Sequence, residues 1–129
     1  MAATGKFVLE SNENYEAWLA TIGVPAELAA KMAAAKPTLE VNRGDTSVTI
    51  KTIAGDKTFT NTITYGQDSP VELAGFQYTV NVERTDSGYK GSLKAGSKSG
   101  TVAVDKTDAG YVQTMTVDGV TTKKNYKKA

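Results

Sequence analysis

The chain has 129 residues, a net charge of +1 and 40% hydrophobic residues, so it is large enough for one domain, 1–129, with a modest core. It contains neither cysteine nor histidine, which excludes disulfides and thiolate chemistry and removes the commonest general base and metal ligand. The balanced charge gives no field that would attract nucleic acid, and neither a secretory signal nor a membrane-spanning run is found. We therefore expect a soluble, monomeric, cytoplasmic protein without metal or cofactor.

The chain begins with a strand, Gly5–Ser11, followed directly by two short helices. The first helix follows three potential N-cap residues, Ser11, Asn12 and Asn14, and ends at Gly23, which suits the position after a helix C-terminus. The second is predicted to have Pro25 at its first position and to continue through alanines to Lys36. Helices this short are unstable alone in water and must lie on another element. The first carries an apolar stripe that we interpret mainly as core: Tyr15, Trp18, Leu19 and Ile22.

From Thr38 onward the hydrophobic period changes to two, which predicts strands separated by turns rich in Asp and Gly. Ten short strands with hairpin turns favour an antiparallel meander that closes into a barrel. The predicted fold is therefore an all-β, ten-stranded antiparallel up-and-down β-barrel capped by a helix-turn-helix lid. The nine strands after the lid are predicted at Thr38–Arg43, Ser47–Ile53, Thr58–Tyr65, Pro70–Leu73, Phe76–Arg84, Gly88–Lys94, Ser99–Lys106, Gly110–Val117 and Val120–Lys127.

The last hairpin determines which side chains face inward. Asp118-Gly119 favours a two-residue type I′ turn, because both central residues of that turn need positive φ. The resulting register pairs Gln113 with Lys124 and Tyr111 with Tyr126. These four share one face, the more apolar one, which we expect to point into the barrel. The same face holds Met115, Val117, Val120 and Thr122.

Lys124 has two interpretations from the residues alone. It belongs either to a solvated cluster with the neighbouring lysines, or to the interior, where its ammonium needs an anion or a hydrogen-bonding partner. In the second case it would bind a carboxylate or another polar head group, with Val102 and Val104 lining the same interior. A desolvated lysine also forms Schiff bases with carbonyl compounds, but no general base lies near it in sequence, which argues against an enzyme.

The sequence resembles the intracellular lipid-binding proteins, the family of fatty-acid-binding and cellular retinoid-binding proteins. The matching motifs run in family order over essentially the whole chain, so that together they are specific. They are Gly5-Lys6-Phe7-x-Leu9, Glu13-Asn14-Tyr15, Gly23-Val24, Ala35-Lys36-Pro37, Val48-Thr49-Ile50-Lys51, Thr58-Phe59-x-Asn61-Thr62, Gly66-Gln67 and Asp118-Gly119-Val120-Thr121.

This resemblance implies a clam-like barrel around a cavity for one or two hydrophobic ligands, entered near the second helix and the turn before Phe59. Family members that bind a carboxylate usually carry Arg-x-Tyr on the last strand, where this chain has Lys124 and Tyr126. A second arginine of the family corresponds to Val104. A lysine is a point charge without the two-pronged geometry of arginine, so looser head-group recognition is expected.

The leading hypothesis is a non-enzymatic carrier of a long-chain fatty acid or a similar lipid, and a carrier of a retinoid or another neutral lipid is the alternative. A storage or surface-binding role also stays open. Lys31 and Lys36, on or beside the second helix, are candidates for transient membrane contact during ligand transfer. The predicted ligand-binding residues are Lys124, Tyr126, Gln113, Met115, Val104 and Phe59.

Overall fold

The computed structural model describes residues 5–73 and 75–129; part of the chain start that was searched for a secretory signal lies outside these ranges. The described residues form ten strands and two helices. In chain order they are β1 (Gly5–Glu13), α1 (Tyr15–Thr21), α2 (Ala26–Ala34), β2 (Thr38–Arg43), β3 (Ser47–Ala54), β4 (Lys57–Thr64), β5 (Ser69–Leu73), β6 (Phe76–Arg84), β7 (Gly88–Ala95), β8 (Lys98–Lys106), β9 (Gly110–Val117) and β10 (Val120–Lys128). Neither helix within these ranges has the length and hydropathy needed to cross a membrane.

The strands form one antiparallel sheet in the order β4-β3-β2-β1-β10-β9-β8-β7-β6-β5. Consecutive strands pair with each other except β4 and β5, which are the two ends of the sheet, and β1 pairs with β10 as well as with β2. This pairing curls the sheet into a nearly closed barrel, which confirms the predicted up-and-down β-barrel with a two-helix lid. A bulge at Glu10, between the Leu9–Tyr126 and Ser11–Asn125 pairs, bends β1 near the point where the chain leaves the barrel wall for the lid.

The helix ends differ from the prediction in two ways. Pro25 is the N-cap of α2 rather than its first helical residue, because its ψ of 147° is extended. The helix also ends at Ala34, and Lys36 lies beyond it with its Nζ 2.9 Å from the Glu10 carbonyl oxygen. Asn14 does hold the N-cap position of α1, but in the left-handed conformation (φ 57°), and its side chain makes no capping bond.

β4 and β5 do not pair through backbone hydrogen bonds, and the side-chain amide of Asn61 bridges the gap between them. Asn61 Nδ2 donates to the Glu72 carbonyl (3.1 Å), and the Glu72 N–H donates to Asn61 Oδ1 (2.9 Å). This pair imitates the two hydrogen bonds of a strand pairing. Nearby, the Thr64 N–H donates to Ser69 Oγ at 2.9 Å, which holds the turn that joins the two strands.

The side chain of Arg43 links two parts of the barrel wall that are distant in sequence. Its Nη2 donates to the carbonyl oxygens of Thr85 and Gly88, at 2.7 and 2.6 Å. The link therefore joins the end of β2 to the turn between β6 and β7. Bonds from a charged donor are stronger than neutral ones, so this contact fastens two distant parts of the wall.

The lid packs on the barrel through α1. Trp18 is fully buried, and its ring meets Tyr78 edge-on with centroids 5.8 Å apart. Tyr15 and Leu19 are buried beside it, as predicted for the core stripe, whereas Ile22 is only partly buried. A helix of seven residues is thereby held by tertiary packing rather than by its own hydrogen bonds.

Candidate ligand-binding site

A cavity of about 340 Å³ lies inside the barrel beneath the lid. Every strand and both helices contribute to its lining, which is mainly aliphatic and aromatic. Its size lies in the range of small-molecule sites, and its apolar walls suit a ligand with a long hydrocarbon part. Part of the lining comes from α2 and from the β3–β4 hairpin: Leu28, Lys31, Met32, Thr52, Ala54, Lys57 and Phe59.

The charged residues of this lining all have the same sign. Among the residues that the structure describes, they are Lys31, Lys57 and Lys124, and no carboxylate accompanies them. Lys31 in α2 and Lys57 at the start of β4 are exposed, whereas Lys124 is buried. The cavity lining therefore carries positive charge on both its exposed and its buried residues.

Lys124 reaches the cavity because of the Asp118-Gly119 turn. Both residues have positive φ, 55° and 81°, as a type I′ turn requires. The predicted pairing of Gln113 with Lys124 and of Tyr111 with Tyr126 is observed. Lys124 consequently points inward and is only 8% exposed, so the solvated interpretation of this side chain is wrong.

The ammonium of Lys124 lies over aromatic rings rather than beside an acid. Its Nζ is 4.0 Å from the centroid of the Tyr15 ring and 5.8 Å from that of Tyr126. Such cation–π contacts are worth about 0.5–2 kcal/mol and do not replace lost hydration. Within the described ranges, no protein group forms a hydrogen bond or ion pair with this nitrogen. Burial lowers the pKa of Lys124 from 10.5 to about 8.

Tyrosines form the wall around this amine. Tyr126 stacks on Tyr111 with ring centroids 4.7 Å apart, and Tyr78 directs its hydroxyl to Met115 Sδ at 3.9 Å. Burial raises the pKa of Tyr15 to about 12 and that of Tyr126 well above its ordinary value. These hydroxyls therefore keep their protons at neutral pH and are available to donate hydrogen bonds.

Five of the six predicted site residues line this cavity: Lys124, Tyr126, Gln113, Met115 and Phe59. Val104 is buried but lies elsewhere, in a separate pocket of about 20 Å³ that Arg43 and Tyr89 also line. Sequence reasoning did not select Tyr78 or Tyr89 for the cavity. The alternation of Tyr78 with Val80 and Val82 along β6 was an available signal for the first.

The comparisons with known proteins agree with this geometry. The model of the lipocalin / cytosolic fatty-acid binding protein family matches residues 1–129. The chain belongs to this family. Its members are non-enzymatic carriers, so the protein is a carrier and not an enzyme.

Individual relatives cover the whole chain. The liver-type fatty acid-binding protein of Epinephelus coioides is 37% identical over 131 residues, which span 99% of each chain. Gastrotropin of Sus scrofa is 29% identical over 132 residues, with 99% of this chain and 98% of the relative covered. Among solved structures, a Schistosoma mansoni fatty acid binding protein in complex with arachidonic acid superposes with a TM-score of 0.86 at 20% identity, covering 98% of this chain and 95% of the other. That likeness shows a shared fold.

Proposed function

We propose that the protein is a monomeric cytoplasmic carrier that encloses a long-chain fatty acid, or a similar lipid with an anionic head, in its barrel. The observation that carries this proposal is the buried ammonium of Lys124, which faces a cavity whose described lining holds three lysines and no carboxylate. Relatives that are named fatty acid-binding proteins support the same ligand class.

The tail of such a ligand would lie against the apolar wall. Removing each methylene from water contributes about 0.8 kcal/mol, so a long chain supplies most of the affinity. The wall is already present and lined by side chains from all ten strands, so little ordering is needed on binding.

The head would lie at Lys124. An isolated buried ammonium is unfavourable, and a carboxylate beside it replaces part of the lost hydration with a charge-assisted hydrogen bond. Gln113 is paired with Lys124 across the strands, and the Tyr126 ring lies 5.8 Å from its Nζ. The amide and the hydroxyl are the proposed auxiliary donors. Met115 and Phe59 would contact the tail, whereas Val104 would act only through packing.

Entry is proposed between α2 and the β3–β4 hairpin, where Lys31 and Lys57 would meet the anionic head first. Contact of Lys31 and Lys36 with a membrane during transfer remains a prediction. Both are exposed, although Lys36 is also bonded to the Glu10 carbonyl oxygen.

The test is a calorimetric titration of oleate into the wild type and Lys124→Met. Loss of a charge-assisted bond of about 1.5–3 kcal/mol should weaken oleate binding roughly 10- to 150-fold. Lys123→Met is the matched control, because Lys123 is exposed on the outer face of the same strand. Equal oleate affinity in wild type and Lys124→Met would refute the role of Lys124. Tighter binding of retinol than of oleate by the wild type would favour the neutral-lipid alternative.

A further inference from the structure

We infer that Lys124 also captures long-chain aldehydes, forming an imine with the aldehyde carbon inside the cavity. This inference rests on the proposed function, since it needs a cavity that admits an aliphatic chain with its polar end at Lys124. The carrier would then hold a reactive lipid aldehyde covalently and reversibly, in addition to holding an acid by charge.

The position of the amine supports this inference. Lys124 Nζ lies 4.0 Å from the Tyr15 ring centroid, in a buried wall, and the lysine is 8% exposed. An aliphatic aldehyde in the proposed pose has its carbonyl where a carboxylate head would lie. Holding the two reacting groups together in one site replaces a bimolecular encounter and raises the effective concentration strongly.

The surroundings also favour the neutral amine, which is the nucleophile. Among the described lining residues no carboxylate stabilises the ammonium; the ionisable neighbours are tyrosines, and the other cations are Lys31 and Lys57. Burial lowers the pKa of Lys124 from 10.5 to about 8. Near neutral pH its neutral fraction therefore exceeds that of an exposed lysine by roughly two orders of magnitude.

The reaction balances without any further reagent. The nitrogen lone pair forms a bond to the carbonyl carbon, and one amine proton moves to the oxygen, which gives a carbinolamine. The carbon–oxygen bond then breaks, and the oxygen leaves as water with the second amine proton. The buried hydroxyls of Tyr15 and Tyr126, which keep their protons, are suited to assist the departing oxygen. Apolar walls keep bulk water away and slow the reverse hydrolysis.

The experiment is reductive trapping. Wild type is incubated near neutral pH with hexadecanal and cyanoborohydride, and the product is analysed by intact mass and peptide mapping. We expect one adduct per chain, with the mass of the aldehyde less one oxygen atom, located at Lys124. Its yield should exceed that at Lys123 roughly a hundredfold, because only the cavity holds the aldehyde beside an amine.

Two matched variants separate capture from general reactivity. Lys124→Arg keeps a positive charge in the cavity but has no amine that forms an imine, since arginine stays protonated, so it should lose the adduct. Lys123→Arg should keep it, and excess oleate should suppress it in the wild type. Thermal unfolding of both variants establishes that they are folded.

The outcomes also separate this inference from the proposed function. Adducts spread over exposed lysines, or undiminished labelling of Lys124→Arg, would overturn the inference. Oleate binding that depends on Lys124, together with no adduct there, would overturn aldehyde capture and leave the fatty-acid carrier in place. An adduct at Lys124 in a protein that does not bind oleate would overturn the fatty-acid assignment instead.

Discussion

Replacing Lys124 with methionine is expected to stabilise the ligand-free protein, although the same change should weaken oleate binding. In the folded state the burial of the ammonium lowers its pKa from 10.5 to about 8. Each pKa unit corresponds to 1.36 kcal/mol, so keeping this group charged in the fold costs about 3 kcal/mol at neutral pH. Methionine has a similar unbranched length and no charge, so Lys124→Met should raise the free energy of unfolding by about 2–3 kcal/mol.

The lowered pKa of Lys124 also predicts the direction in which the stability of the wild type changes with pH. Below pH 8 both the folded and the unfolded chain hold the Lys124 proton, and the burial penalty is present in full. Between pH 8 and 10.5 the unfolded chain binds this proton and the folded chain does not, so the stability of the wild type rises with pH. Buried tyrosines act in the opposite direction from about pH 10 upward, because their pKa values are raised. The informative window is therefore pH 8 to 10, with a gain of about 2 kcal/mol.

The assay is urea unfolding of ligand-free protein between pH 7 and 10, followed by the fluorescence of Trp18, the single tryptophan. Wild type and Lys123→Met should both show the rise in unfolding free energy, and Lys124→Met should not. A wild type as flat as Lys124→Met over this window, or a Lys124→Met protein that is less stable than wild type at pH 7, would refute the description of Lys124 as a desolvated cation.

Two further predictions concern the links that fasten the barrel wall. Arg43→Met should lose about 2–4 kcal/mol of unfolding free energy in urea, because two hydrogen bonds from a charged donor disappear. The control is Arg84→Met, which removes an exposed ion pair of 3.6 Å and should lose at most about 1 kcal/mol. If Arg43→Met loses no more unfolding free energy than Arg84→Met, the bonds from Arg43 to Thr85 and Gly88 do not fasten the wall. Asn61→Ala should lose about 1–2 kcal/mol and speed hydrogen exchange of the Glu72 amide, whereas Thr62→Ala, changed at an exposed site on the same strand, should leave that exchange rate unchanged. Unaltered exchange at Glu72 in Asn61→Ala would show that the amide pair does not hold the gap.

The positions of Lys124 and Gln113 could be predicted from the sequence because a local turn sets them. Asp118-Gly119 sets the register of β9 and β10, and from that register follow the inward direction of Lys124 and its pairing with Gln113. Strand number and order could also be predicted from alternation and turn spacing, because consecutive strands pair in the sheet everywhere except between β4 and β5.

The remaining features depend on closure of the barrel and have no local signal. Val104 shares a face with Val102, but Val102 lines the large cavity and Val104 lines the small pocket beside Arg43. Which inward residues line the large cavity therefore depends on the position of each strand around the barrel. The same holds for the contact between Tyr15 and the Lys124 amine, and for the bridge from Asn61 to the backbone of β5.

The pairing of β1 with β10 has a consequence for biosynthesis. Thr122 in β10 donates to the Glu13 carbonyl across 109 residues of chain, and the amine of the site is carried by the same strand. A chain synthesised only as far as β9 has no Lys124 in its cavity, and it has two unpaired edges, at β1 and β9, that the complete sheet does not have. The same strand therefore supplies both the closure of the wall and the one buried cation of the described cavity lining.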